Sequence, residues 1–505
     1  MNEHEGEGIS RRGVLSLAAV AATGSLAGCL GGGDDETGDG PNGDDANGER
    51  PPPGDGVDVP NGESFPQPEA PIPQRITAEL VTGELEQTTQ MQFAPGEGFS
   101  YVLERPGRVR VLTDDGLVTE PALDISDDVQ YGADFETGLL GIELHPEFQT
   151  NRRLFIRYSA LPREGTGDEF THTFVLSEFE ATADGREILA ESERTVMEIP
   201  QPTERHQSGV INFGPDGYLY VPTGDGGARP GEGSETHPGY VEDWYDVNWG
   251  GHGQNTTESL LSGVLRIDVD STPTEHHRTD EEGPDSPEDG SGYAIPSENP
   301  LVEWEGHRDE YFAWGFRNPW RGTFHEGEYF VADVGEVGWE AIYHVSKGGN
   351  YGWNVREGSH CFFYDQSDTT EECPDSTPDD VRGGEALRDP IVEYEWGEAE
   401  PGEVSGIAVI GGRFYRGSAI PGLYGRYVFG DFFPTPDGSL VDSQLFVATP
   451  PAGPVNEPWE AETVALETLD DPPERLDPIH SFATDEDGEL YIITRNSIWR
   501  VQPAQ

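Results

Sequence analysis

The segment Arg205-His206-Gln207-Ser208-Gly209-Val210-Ile211-Asn212-Phe213-Gly214-Pro215-Asp216-Gly217-Tyr218-Leu219-Tyr220-Val221-Pro222-Thr223-Gly224-Asp225 decides how this chain is read. Two short apolar runs flank a Pro-Asp-Gly turn, the pattern of a β-hairpin. A histidine precedes the first strand and an aspartate follows the second. A hairpin folds back on itself, so its outer ends are neighbours and His206 and Asp225 are expected to meet. An imidazole backed by a carboxylate is the outline of a general base. The bland alternatives are a structural hydrogen bond for His206 and a turn cap for Asp225.

The same unit recurs at Met91–Val102, Leu139–Tyr158, Trp320–Val331, Ile407–Phe429 and Phe482–Ile493. No long amphipathic helix interrupts it. Six hairpin-centred units predict an all-β chain folded as a six-bladed β-propeller, with a β-sandwich as the alternative. Ser497–Val501 is expected to close the last blade as its outer strand. In a propeller, residues before each first strand and after each second strand converge on one face. That gathers Thr88, Thr89, Gly138, His206, Gln207, Arg317, Asn318, Ser405 and His480, together with Arg157, Asp225, Asp333 and Asp431. Arg317 reads as an anion contact or an interblade salt bridge. Asp431 reads as structural, and His145 and His252 as incidental.

Acidic residues outnumber basic ones 97 to 30 in 505 residues, for a formal charge of −67. They are scattered along the chain, which reads as a solvated surface suited to high salt, with a cationic partner as the alternative. Nucleic acid is a poor partner, since no basic face is visible. Residues 1–29 read as a twin-arginine lipoprotein signal: Ser10-Arg11-Arg12-Gly13-Val14-Leu15, a short apolar stretch, then Leu26-Ala27-Gly28-Cys29 with Cys29 as the lipidated residue. This predicts export by the twin-arginine route and anchoring to the outer face of the cell membrane. Residues 30–75, rich in Gly, Asp, Glu and Pro, predict a disordered acidic tether, and 76–505 the folded domain. In an exported protein Cys361 and Cys373 are expected to form a disulfide, a metal site being the alternative. The long irregular stretch Ala228–Asn299 reads as a cover beside the channel mouth.

Several blocks, in order, resemble the glucose/sorbosone dehydrogenase family of soluble quinoprotein sugar dehydrogenases. They are Gly138-Leu139-Leu140-Gly141 with His145-Pro146-Glu147-Phe148, His206–Gly209 with the hairpin to Asp225, and Gly263-Val264-Leu265-Arg266. Arg317-Asn318-Pro319, Asp333-Val334-Gly335 and Lys347–Trp353 complete the set. The resemblance implies pyrroloquinoline quinone (PQQ) and calcium above the channel mouth. It makes His206 the base toward the C1 hydroxyl of an aldose, with Asp225 holding it. Arg317 and Asn318 would contact the quinone, with Gln207, Ser405 and His480 as further cofactor contacts. Calcium would lie on the backbone oxygens of Gly335 and Glu336, near Asp333. Electrons would pass to a membrane acceptor. The chain departs from the enzymes by continuing Arg317-Asn318-Pro319 with Trp320-Arg321, and by offering only His480 where they carry a basic pair. The Asp333–Glu340 stretch, the Cys361/Cys373 loop and Ser481-Phe482-Ala483 more closely resemble the hedgehog-interacting-protein-like branch, and the counterpart reading is a non-catalytic surface propeller binding carbohydrate or protein.

Overall fold

The computed structural model describes residues 65–132, 136–167, 170–227, 243–245, 247–248, 253–271, 292–363, 372–397, 404–432, 444–469 and 476–504. The signal, Cys29, the tether up to residue 64, His252 and the acidic run 280–289 lie outside them.

Each of the six segments with a hairpin pattern folds as one. The central one shows why. Gly217, at φ 84°, supplies the left-handed turn conformation, Gly217 N–H donates to Gly214 O at 3.0 Å, and Asp216 Oδ1 accepts Tyr218 N–H at 3.2 Å. β-Branched and aromatic residues then fill the paired strands, where they suit a pleated, half-buried surface.

Third and fourth strands extend these hairpins into sheets. The first sheet runs Thr88–Ala94, Phe99–Glu104, Arg108–Thr113 and Gly116–Leu117, with Leu123–Asp124 on a side branch. The second runs Leu139–Leu144, Arg153–Ala160, His172–Ala181 and Ile188–Gln201. The third runs Asn212–Phe213, Leu219–Thr223, Gly263–Ile267 and Tyr311–Trp314. The fourth runs Pro319–His325, Glu328–Asp333, Trp339–Val345 and Val392–Glu395. The last sheet has eight strands. From Val409–Phe414 it passes through Tyr427–Asp431, Gln444–Thr449 and Glu460–Thr468 to Arg75–Thr82, then Ile498–Pro503, Leu490–Thr494 and Ile479–Thr484. The one described helix is the single turn Phe148–Asn151.

Two expectations are corrected here. The strand Ile498–Pro503 is not the outer strand of its unit, because Arg75–Thr82 pairs with it on the far side, antiparallel, and with Glu460–Thr468 in parallel. The first and last described strands are thereby stitched together. The tether does not run to residue 75 as a solvated chain. Phe65 is buried among Phe330, Phe414 and Trp459, and Arg426 donates to Ala70 O at 2.9 Å. An aromatic ring in an otherwise polar tract gains about 1.5–3 kcal/mol by such burial.

The first strands of the sheets hydrogen-bond to one another around a common centre. Thr89 Oγ1 donates to Leu139 O at 2.9 Å, Ser208 Oγ to Pro319 O at 2.7 Å, and Arg413 to Gly322 O at 3.1 Å. Arg321 reaches Thr89 O at 2.7 Å, and His480 Nδ1 reaches Thr88 O at 2.9 Å. Between neighbouring sheets the spaces are filled by apolar side chains: Phe155, Phe174 and Ile199 of the second sheet pack with Leu219, Val221 and Leu265 of the third. The architecture is an all-β, propeller-like fold.

A bulge recurs in five of the first strands. Pairing register skips Thr89, Leu140, Trp320, Ile410 and His480, each the second residue of its strand. Each bulge leaves one residue off the ladder and bends the strand where it starts.

Candidate functional site

His206 stands six residues before the strand Asn212–Phe213 begins, in the left-handed region at φ 54°. That conformation carries strain for a residue with a side chain. It is matched by Gly224, where a Cβ would lie 1.9 Å from His206 O. Only glycine lets the second strand's end pass this close. The next residue, Asp225, is anchored by its own N–H on Arg317 O at 2.8 Å.

The side chains complete the relation. His206 Nδ1 lies 2.6 Å from Asp225 Oδ1, and His206 Nε2 lies 2.7 Å from Arg317 Nη2. A carboxylate at Nδ1 requires a proton there, and a guanidinium at Nε2 requires a lone pair there. The imidazole is therefore neutral, with its basic nitrogen turned to Arg317. Asp225 takes two further donors, Gly227 N–H and Trp353 Nε1–H, both at 2.8 Å. Burial alone would raise the Asp225 pKa. The hydrogen bond with His206, the positive charge of Arg317 and the Gly227 N–H outweigh it and hold the carboxyl below its ordinary value. Burial works against the charge of Arg317 too, but Glu336 and Asp225 raise its pKa overall.

Arg317 is held from several sides. Its Nη1 donates to Val334 O at 2.8 Å, its Nη2 also donates to the Glu336 carboxylate, and its guanidinium lies over the Trp353 ring at 5.8 Å. Its Nε is buried without a hydrogen-bond partner. The backbone N–H groups of Arg317 and Asn318 both donate to Asp333, at 3.0 and 2.6 Å. Burial, only partly offset by those N–H groups, pushes the Asp333 carboxyl up to about 7.

The other expected site residues divide. The amides of Gln207 and Asn318 are spent inside the protein. Gln207 Oε1 faces His172 Nε2 at 2.8 Å, and its Nε2 donates to Thr203 O and Arg205 O. Asn318 Oδ1 accepts Ser208 N–H at 2.9 Å and its Nδ2 donates to Glu136 at 3.2 Å. They brace the turns that carry His206 and Arg317. His480 sits on its strand's bulge, turned to Thr88 O, beside Phe432 and below Trp320, whose Nε1 donates to His480 O at 3.2 Å. Burial lowers its pKa to about 4, so it is neutral and cannot stand in for a basic pair. Ser405 is half-buried, with its Oγ buried and unpartnered.

The expected metal residues fare differently. The Asp333 carboxylate serves as the N–H anchor of the Arg317-Asn318 turn. Among the described residues no group of three or more His, Cys, Asp or Glu side chains could hold a metal ion. The Gly335–Gly338 loop is tied down by carboxylates: Glu340 accepts Gly335 N–H at 3.3 Å and Val409 N–H at 2.9 Å, and Glu357 accepts the N–H groups of Glu336 and Val337. Asp431 is structural, accepting Ile407 N–H and Tyr394 O–H. His145 is buried and bonded to Asp270. Cys361 and Cys373 are joined by a disulfide.

Three participants carried no role in the sequence reading. Trp353 ends the Lys347–Trp353 block, and nothing local in that block marks its indole as a partner of Asp225. Glu136, two residues before Gly138, accepts Gln207 N–H at 3.0 Å as well as the Asn318 amide. The side chain of Glu336, expected to contribute only its backbone oxygen, occupies Arg317. In chemical terms the centre is an oriented neutral imidazole beside a buried cation, able to take a proton from a hydroxyl group.

The curated relatives include the HIPL1 protein of Arabidopsis thaliana, 27% identical over 430 residues, 76% of this chain and 55% of the relative. The human hedgehog-interacting protein is 24% identical over 426 residues, 82% of this chain and 49% of the relative. The chain thus spans about half the length of these relatives. Among solved structures, the PQQ-bound aldose sugar dehydrogenase of Streptomyces coelicolor superposes with a TM-score of 0.52 at 17% identity, covering 86% of this chain and 99% of that one. At that identity the likeness establishes the fold. The glucose/sorbosone dehydrogenase family model matches residues 85–240 and 288–498, and the chain belongs to that family.

Proposed function

We propose that this protein is a sugar oxidoreductase that removes the C1 hydrogen of an aldose and yields its lactone. The observation that carries the reading is the His206–Asp225 dyad with Arg317 at the basic nitrogen. Asp225 orients the ring and stabilises the imidazolium that forms when Nε2 takes the proton of the sugar's C1 hydroxyl. That hydroxyl has to take the position at Nε2 that the Arg317 N–H group occupies. Arg317, displaced only slightly, remains beside the reacting oxygen and stabilises negative charge there.

PQQ supplies the two-electron acceptor when bound, following the family resemblance and the PQQ-bound neighbour. By the family resemblance, Arg317 would contact a quinone oxygen, with Ser405 as a further contact. Calcium would bind backbone oxygens of Gly335 and Glu336. The same reading takes the eight-stranded sheet as two blades sharing an edge, for six blades in all. It also includes export, lipid attachment at Cys29 and a membrane electron acceptor.

The test is reconstitution with PQQ and calcium in high salt, followed by dye reduction with a panel of aldoses. Sugar-dependent reduction that requires PQQ is the expected result, and its absence would overturn the proposal. A second reading, a non-catalytic propeller binding carbohydrate or protein, is favoured by the commitment of the Gln207 and Asn318 amides to internal bonds. Calorimetry with PQQ separates the two, since the second reading expects no saturable binding.

A further inference from the structure

We propose that Glu336 is a specificity-determining counter-ion: its carboxylate holds, on Arg317, the position that an anionic group of a ligand would take, so that anions enter this site only in exchange for it. The inference deepens the functional reading above and rests on His206 and Arg317 forming the ligand site.

One guanidinium nitrogen, Arg317 Nη2, touches both His206 Nε2 and the Glu336 carboxylate, and Glu336 Oε2 lies 4.0 Å from His206 Nε2. The three side chains are 8% (His206), 7% (Arg317) and 9% (Glu336) exposed, so the contact is largely withdrawn from water. A carboxylate bound to a buried guanidinium beside a general base stands in for a ligand carboxylate or quinone oxygen.

The loop is built for exchange. Its backbone is fixed, because Glu357 accepts the N–H groups of Glu336 and Val337, the latter at 2.8 Å. Its outer side is open, with Val337 41% exposed. An outward turn of the Glu336 side chain on its own rotamers would need no movement of the loop backbone.

Charge sets the direction of the selectivity. The carboxylates of Glu336, Asp225 and Glu136 all act on the guanidinium of Arg317, and the hydrogen bonds of His206 suit a neutral ring. With Glu336 in place and no calcium bound, the site carries more negative than positive charge. In a site of low polarisability that excess repels an incoming anion more strongly than it would in water. A neutral sugar meets no such barrier, and its hydroxyls can donate to the Glu336 carboxylate.

The test compares wild type with Glu336→Gln, Glu336→Ala and the double variant Glu336→Gln/Arg317→Ala. Binding of oxalate and of PQQ with calcium is measured by calorimetry at fixed ionic strength, and thermal midpoints are recorded with and without oxalate. Both single variants are expected to bind the anions at least ten-fold more tightly than wild type. Oxalate should raise their midpoints but not that of wild type, and the gain should vanish in the double variant. Equal affinities in wild type and the single variants, or a gain that survives loss of Arg317, would overturn the proposal. Tighter oxalate binding without any PQQ binding would uphold the counter-ion and remove the quinone reading, which keeps the two failures distinct.

Discussion

His206 Nε2 and Arg317 Nη2 lie 2.7 Å apart although 111 residues separate them in the chain. On the other side of the ring, Nδ1 is 2.6 Å from Asp225 Oδ1. One imidazole is thus fixed at both nitrogens, by a carboxylate contributed by its own hairpin and a cation contributed by the next sheet.

If that ring is the base, removing it lowers turnover far more than it lowers sugar affinity. His206→Ala is expected to reduce sugar-dependent dye reduction by about 10²–10⁴-fold. Asp225→Asn leaves a side chain of similar shape that no longer favours the Nδ1–H tautomer, and should cost about 10²-fold or more in kcat. Steady-state kinetics on both variants, with circular dichroism to check the fold, decides it. Undiminished kcat in either would remove the base assignment.

Trp353→Phe keeps the aromatic ring but deletes the Nε1–H donated to Asp225 Oδ2 at 2.8 Å. A hydrogen bond to a buried carboxylate contributes about 1.5–3 kcal/mol. The Asp225 pKa is depressed, so its contribution to stability is present above the unfolded pKa and lost as pH falls through the folded value. Losing a donor raises that folded value. The variant should therefore be less stable than wild type at pH 6, and its acid-dependent loss of stability, starting from the same unfolded-state pKa, should be smaller and complete at a higher pH. Acid-unfolding curves of the two proteins make the comparison.

Gly224→Ala places a Cβ 1.9 Å from His206 O, a backbone atom that cannot rotate away. The hairpin end and the His206 turn must separate, so the dyad should open. Loss of activity with a lowered thermal midpoint is expected, whereas Gly217→Ala in the exposed turn should lower stability and leave kcat unchanged. Equal kcat in wild type and Gly224→Ala would show that the close approach is dispensable.

Glu143 on the strand Leu139–Leu144 lines a cavity of about 580 Å³ with Gln92, His145 and Phe213. Burial, partly offset by Arg413, Asn212 and Leu144 N–H, pushes its carboxyl up to about 8. Folding therefore favours its protonated form, and its contribution to stability falls as pH rises from the ordinary carboxylate range through about 8. Glu143→Gln removes that dependence. The variant should gain stability relative to wild type between pH 5 and pH 9, read from urea midpoints at constant ionic strength. A difference independent of pH would contradict the assignment.

The all-β class and the six hairpins were legible because they rest on local rules. Alternation of apolar residues and a Gly-containing turn act over about a dozen residues, and the Pro215-Asp216-Gly217 turn forms as those residues require. The meeting of His206 with Asp225 followed from the same local logic, since both lie on one hairpin. The convergence of strand starts in a propeller brought Arg317 to the same face, and the resemblance gave it a cofactor role.

Contacts between distant segments were decided only by the folded chain. The strand Arg75–Thr82 closes the last sheet because its edge needs hydrogen-bond partners, and the chain's own opening strand supplies them. His480, expected beside the cofactor, sits on a bulge and turns to Thr88 O, a register detail that alternation of side chains does not encode. The indole of Trp353 on Asp225, and above all the carboxylate of Glu336 on Arg317, depend on how whole sheets pack. Residue types and turns set the strands and the base; the fold alone chose which charges face that base, because electrostatic pairing depends on distance in space and not on separation along the chain.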